Sequence, residues 1–285
     1  MPRDVARAGL YRGSINLWVE DALTREYLST LWNDPSVFFL VGGGNEGVRA
    51  IVKDADEAGF ANVFGLTDRD FRPTNKPGWN DPNRTFRTFV LPVHEIENYL
   101  LDSRSLRSSL FNNRGLSETD IQTIIEEAAG RLCWWAACRE VVAESKRRFR
   151  EPFVIDPPCT LNSQSAAKDL ICNSPWFQKL DTESARTKES DIDQLLNDRY
   201  QEAQNRLKDG TWRIEFAGKE IFRETGSRIF DRTMNRGYNP TPADFDIDLA
   251  KDIAVSQVAS GSRPTDLVDL LAALKSRIAR TPSAP

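Results

Sequence analysis

The order in which apolar runs and helical stripes alternate limits this chain to few folds. Ile15-Asn-Leu-Trp-Val19 alternates and reads as a buried strand, after which Leu23, Tyr27, Leu28 and Leu31 recur at helical spacing. Val37-Phe-Phe-Leu-Val41 is a continuous apolar run, as expected of a central parallel strand covered on both faces. Val48, Ile51, Val52 and Ala55 form a second helical stripe, and Val63–Thr67 reads as a third strand. Beyond a Pro/Gly/Asn loop from Arg72 to Arg84, a fourth strand is expected from Thr85 to Leu91. This succession predicts an α/β fold, a mostly parallel sheet flanked by helices with right-handed crossovers. Ligands of such sheets bind beyond the carboxyl ends of the strands.

Acids stand at those ends. Glu20 follows the first strand, Asp68 and Asp70 the third, and Glu95 and Glu97 the fourth. Residues i and i+2 of a strand share a side, so each pair is expected to aim two carboxylates at one place. Mg²⁺ and Mn²⁺ take oxygen ligands, and two ions about 3.5–4 Å apart can stabilise the attacking and leaving oxygens of phosphodiester cleavage. Either pair alone reads equally well as solvated turn residues or as partners of nearby Arg; their coincidence at one sheet edge favours a single metal site. The second strand ends in Gly42-Gly43-Gly44-Asn45, with Asn45 as the expected N-cap. Such a loop, here through Gly44 and Asn45, either offers backbone N–H groups to a phosphate or makes a tight turn. No Lys-Ser/Thr follows, so it is not a Walker loop. Arg69 falls on the opposite side of its strand from the aspartates and reads as structural. His94, the one histidine, is a candidate to orient water or contact phosphate, with packing at the strand end the stronger reading.

A single histidine makes a zinc centre or a Ser-His triad improbable, and Cys133, Cys138, Cys159 and Cys172 match no metal spacing and read as reduced thiols. With 40% hydrophobic and 28% charged residues the 285-residue chain is a globular protein of one large or two ordinary domains. The formal charge of −4 argues against charge-driven coating of nucleic acid while leaving room for a local basic face. No apolar run reaches membrane-spanning length, and the N-terminus lacks the apolar centre of a signal peptide, so a cytoplasmic chain without a membrane partner is expected.

Val19-Glu20, Gly42-Gly43-Gly44-Asn45, Thr67-Asp68-Arg69-Asp70-Phe71 and His94-Glu95-Ile96-Glu97-Asn98-Tyr99-Leu100 together resemble the TOPRIM domain of topoisomerases, primases and overcoming-lysogenization-defect (OLD) nucleases. More narrowly they resemble a bacterial TOPRIM-like family that includes the AriB nuclease subunit of the PARIS anti-phage systems. The resemblance covers about residues 14–102. It implies a TOPRIM-like catalytic domain at 1–102, a metal-dependent endonuclease activity, Mg²⁺ or Mn²⁺ as cofactor, and an ABC-type ATPase partner. A second copy of the chain is a further candidate partner. By position, Glu20 matches the glutamate of acid/base or metal chemistry, Asp68 and Asp70 the metal-binding pair, and Glu95 and Glu97 the acids that complete the pocket. Two departures stand out: Asp21 where the family usually has Gly, and Thr24 where related nucleases often carry an acid. Both weaken the expectation of a second ion. RNA such as transfer RNA is the implied substrate, with OLD-type DNA nicking or a non-catalytic interaction module with a structural metal pocket as alternatives. A primase or topoisomerase reading ranks lower, since no zinc ribbon or tyrosine-cleavage module accompanies the motifs.

From 103 to 285 the pattern is largely helical. Residues from Asp120 to about Phe149 read as one or two amphipathic helices with a break near Gly130, and Trp134-Trp135 read as core rather than as a base-stacking platform. Lys146, Arg147 and Arg148 form the best basic patch, equally a nucleic-acid contact or a solvated helix end. Helices are expected at Ser190–Asp209, from Gly218, and at Asp244–Ser260 and Thr265–Arg280; Trp212–Phe216 reads as a short strand or loop. The family resemblance brings Lys219 towards the phosphate.

Overall fold

The computed structural model describes residues 9–70, 86–149, 157–175, 177, 189–234 and 237–280, excepting the side chains of 144–149, 189–191, 232 and 280. Four parallel strands form the sheet: β1 (Ile15–Val19), β2 (Val37–Val41), β3 (Val63–Thr67) and β4 (Thr88–Val90), in the order β2-β1-β3-β4. All five residues of β1 and of β3 are buried, which is why these runs are apolar without interruption by charge. Helix α1 (Ala22–Trp32) starts where the Asp21 carboxylate accepts the Thr24 N–H at 2.8 Å, and ends at Asn33 in the left-handed region. Helix α2 (Asn45–Glu57) links β2 to β3. Its N-cap is Gly44 rather than Asn45, whose side chain instead accepts from Arg49 Nε at 2.6 Å. Gly65 permits α2 to lie this close to β3, since a Cβ there would stand 2.7 Å from Val48 Cγ1.

Beyond the sheet a 3-10 helix (Ile96–Leu100) leads into α3 (Ser103–Ser108), α4 (Glu118–Arg131), α5 (Cys133–Phe149), α6 (Gln164–Cys172), α7 (Glu189–Asp209), α8 (Trp212–Glu215), α9 (Gly218–Ile229), α10 (Pro242–Ser260) and α11 (Thr265–Arg280). The expected α/β class, a parallel sheet flanked by helices with a helical C-terminal half, is therefore observed. Four local readings are corrected. Val37–Val41 is an edge strand with Phe38 and Val41 exposed, not a central strand covered on both faces. Trp212–Glu215 is a helical turn whose Trp212 is buried, not a strand; the α4–α5 break falls at Leu132, two residues past Gly130; and Glu95–Glu97 belong to no strand. The expected start of β4 at Thr85 lies outside the described residues, as do the side chains of Lys146, Arg147 and Arg148.

One apolar core crosses from the sheet into the C-terminal half. It joins Leu17, Phe64, Leu66 and Phe89 to Tyr27, Leu28 and Leu31 of α1, then to Leu249 and Ile253 of α10 and Leu267, Leu270 and Leu274 of α11. The opposite sheet face is covered by α2, through Val48, Val52 and Ala55 against Trp18 and Val63. Cys138, Val141, Ile171 and Leu196 form a smaller cluster among α5, α6 and α7. Trp135 is buried with its Nε1–H on the Pro157 carbonyl, and Trp134 stacks on Tyr200 at 3.8 Å, so both tryptophans serve packing. No helix among the described residues is long and apolar enough to cross a membrane.

Candidate metal centre

The acids are collected by backbone N–H groups at the carboxyl edge of the sheet. Glu20 Oε1 accepts the Asp68 N–H at 2.9 Å, which ties the end of β1 to the end of β3. Asp68 Oδ1 accepts the Ile96 N–H at 3.2 Å, tying β3 to the 3-10 helix, and Glu95 Oε2 accepts the Lys219 N–H at 2.9 Å, tying that helix to α9. Hydrogen bonds from amides to carboxylates fix orientation as well as charge. Glu95 is the extended N-cap of the 3-10 helix and Glu97 lies in its first turn, so the two converge through a helical turn rather than strand alternation. Asp70 likewise sits past the end of β3, exposed and in the left-handed region at φ 52°, and does not share a strand face with Asp68.

Burial reinforced by charge crowding is the dominant property of this corner. Burial pushes the Asp68 carboxyl well above the ordinary range, and the charges of Glu97, Glu20, Glu95 and Asp21 push it further. Glu97, 3% exposed, is raised to about 8 by burial, then by Glu95 and Asp21. Glu95 is raised by burial and by Asp70 and Glu220, against the opposing pull of the Lys219 N–H and ammonium. The five predicted acids thus act on one another in one place, and Asp21 joins them. Sequence reading treated Asp21 only as a departure from glycine; its position next to Glu20 was the available signal.

Among the described residues, no three or more His, Cys, Asp or Glu side chains are arranged to hold a metal ion as they stand. The donors present, carboxylate oxygens whose charged forms are disfavoured by burial and by one another, are of the kind that a hard divalent cation takes.

The other predicted residues fall in two groups. Gly43 and Gly44 both donate their N–H to the Glu20 carbonyl at 3.1 Å, and Gly42 donates to the Val19 carbonyl at 2.8 Å. These amides close the loop upon β1 instead of facing a phosphate, which supports the tight-turn reading of Gly44. His94 is 2% exposed, lies edge-on to Trp135, and is held near pKa 3 by burial and by Arg69 and Arg139. Its carbonyl accepts the N–H groups of Arg69 and Asp70, and its N–H donates to the Ile214 carbonyl. His94 is therefore a packed, neutral strut of the acid loops. Arg69 is buried too, donating to the Ile214 carbonyl at 2.8 Å and pairing with Glu215 at 3.1 Å. Lys219 reaches the cluster, with its backbone on Glu95 and its charge acting on Glu95 and Glu97.

Asn98 and Gly218 complete the junction. The Asn98 amide donates to the carbonyls of Arg213 (2.9 Å) and Phe216 (3.0 Å) and accepts the Glu95 N–H at 2.9 Å. A Cβ on Gly218 would stand 2.5 Å from Asn98 N and 2.6 Å from its Oδ1. Gly218→Ala is accordingly expected to destabilise the protein by ~1–3 kcal/mol, read as a lower urea midpoint at unchanged slope. A midpoint within error of wild type would show that this approach is not tight. Neither a protein-family model nor a curated protein sequence matches the chain.

Proposed function

We propose that the chain is a TOPRIM-like, metal-dependent endonuclease of the cytoplasm that hydrolyses phosphodiester bonds, with RNA such as transfer RNA as its substrate. In the same reading it is the effector of a bacterial anti-phage system and works with an ABC-type ATPase. The observation that carries the catalytic part is the mutual crowding of Glu97, which is buried, with the half-buried Glu20, Asp68 and Glu95 at the carboxyl edge of a parallel sheet. The defence role, the partner and the choice of RNA rest on the motif resemblance.

Asp68, Glu95 and Glu97, with Glu20 beside them, would hold Mg²⁺ or Mn²⁺. When bound, the ion supplies an acidified water and neutralises charge on the scissile phosphate. The chain's own residues do the rest. Glu20, whose Oε1 accepts the Asp68 N–H, would move a proton at the attacking water or the leaving oxygen. The buried Arg69 and His94 hold the loops that carry the acids, and Lys219 tempers their repulsion.

The second reading is a non-catalytic interaction module whose acidic pocket binds a metal for structure alone. Labelled transfer RNA and supercoiled plasmid, incubated with the purified chain in Mg²⁺, Mn²⁺ or EDTA, separate the two. Cleavage of RNA that needs the cation and falls at least ~100-fold in Glu20→Gln is the expected result. Plasmid nicking alone would move the substrate to DNA. Equal cutting by wild type and variant would overturn the site, and no cutting under any condition would favour the interaction module.

A further inference from the structure

Two of the acid-bearing elements are joined by one buried amide. Gln257, on α10 and 2% exposed, accepts the Tyr27 hydroxyl proton at Oε1 (2.7 Å) and donates from Nε2 to the Tyr99 carbonyl (3.0 Å). Tyr27, fully buried, belongs to α1, the helix that begins directly after Glu20 and is capped by Asp21. Tyr99 belongs to the 3-10 helix, two residues past Glu97, and its hydroxyl donates to Asp266 of α11 at 3.2 Å. A buried amide that loses either bond leaves a polar group unsatisfied, so Gln257 holds both elements at one separation.

We propose that Gln257 is a positioning residue which sets the spacing of Glu20 and Asp21 from Glu95 and Glu97, and through it the affinity of the acid cluster for a divalent cation. The inference deepens the endonuclease reading and rests on its metal site. Groups hydrogen-bonded directly to metal ligands typically change metal affinity by about 10- to 100-fold when removed, and a group one step further back is expected to change it less. Gln257 acts through backbone and phenol, and touches no acid itself.

The test is Mn²⁺ binding to the full chain, counted by electron paramagnetic resonance of the free ion, for wild type, Gln257→Leu, Tyr27→Phe and the double variant. Melting in EDTA, where no metal contributes, reports folding separately. Gln257→Leu is expected to weaken Mn²⁺ binding by about 3- to 10-fold, below the range for direct partners of metal ligands, while still melting cooperatively. Tyr27→Phe is expected to weaken it in the same direction, and the double variant no further than Gln257→Leu alone, because both act through one bond. Wild-type affinity in a cooperatively melting Gln257→Leu would overturn the positioning role and leave the metal site standing. If Gln257→Leu fails to fold, Tyr27→Phe, which loses only a hydroxyl, decides: unchanged affinity overturns the role. A wild-type chain that binds no Mn²⁺ sinks the metal site and this inference with it.

Discussion

Metal-free protein is expected to lose stability as the pH rises from about 5 to about 8. Glu97 holds its proton in the folded state up to about pH 8, whereas the unfolded carboxyl releases it near 4.5. Between those values the folded state binds the extra proton, so unfolding becomes easier as protons are withdrawn, by up to ~1.4 kcal/mol per pH unit for one such group. The contribution is fully present below the unfolded value and is lost as the pH passes through the folded one. Asp68 and Glu95, raised for the same reason, add to the trend. Melting temperatures recorded in EDTA from pH 5 to 8.5 should fall by several degrees, and Glu97→Gln should flatten the curve and melt above wild type at pH 8. Mg²⁺ or Mn²⁺ should restore the loss most strongly at the alkaline end, where the acids are ionised and attract the cation. A wild-type curve that is flat, or that rises over this window, would contradict the crowding of the acids.

The second large effect concerns the residue between the two aspartates. Arg69→Met is expected to cost about 3 kcal/mol, because it strips a guanidinium of 4% exposure from the Ile214 carbonyl and from Glu215. Removing one partner leaves the others without their counter-group, which costs more than the pair contributes while intact. Glu215, 29% exposed, is partly rescued by water, so Glu215→Gln should cost less than half as much. Chemical denaturation of both variants and their combination measures the coupling. An Arg69→Met protein within ~0.5 kcal/mol of wild type would mean that the loop stands without this strut.

Local pattern carried most of the sheet. β1, β2 and β3 follow from runs of apolar residues bounded by turn residues, and their order with α1 and α2 follows from alternating periods. The acids at the strand ends were visible for the same reason. What misled was the stretch from Phe89 to Ile96, where Leu91, Val93 and Ile96 are all buried yet only Thr88–Val90 is strand. Burial makes such positions apolar whatever the backbone does, so period alone cannot separate a strand end from a 3-10 entry. Trp212–Glu215 misled likewise, since four residues are too few to show a helical period. The ties of Glu95 to Lys219, Asn98 to Phe216 and Gln257 to Tyr27 join residues more than a hundred positions apart and leave no local trace in one sequence.

Those ties also bear on when the acid corner comes into being as the chain is made. The residues bridging it are separated by 115, 124, 158 and 230 positions, so loop-closure entropy must be overcome late and over long spans. During synthesis from the N-terminus, Glu20, Asp68 and Glu97 leave the ribosome well before the segments carrying Lys219 and Gln257 exist. A nascent chain therefore carries its acids without their supports, and a product stopped short of Trp212 lacks the floor on which they are assembled. The consequence is a built-in delay: the acid corner is complete only once the segments carrying Lys219 and Gln257 have been made and packed against it.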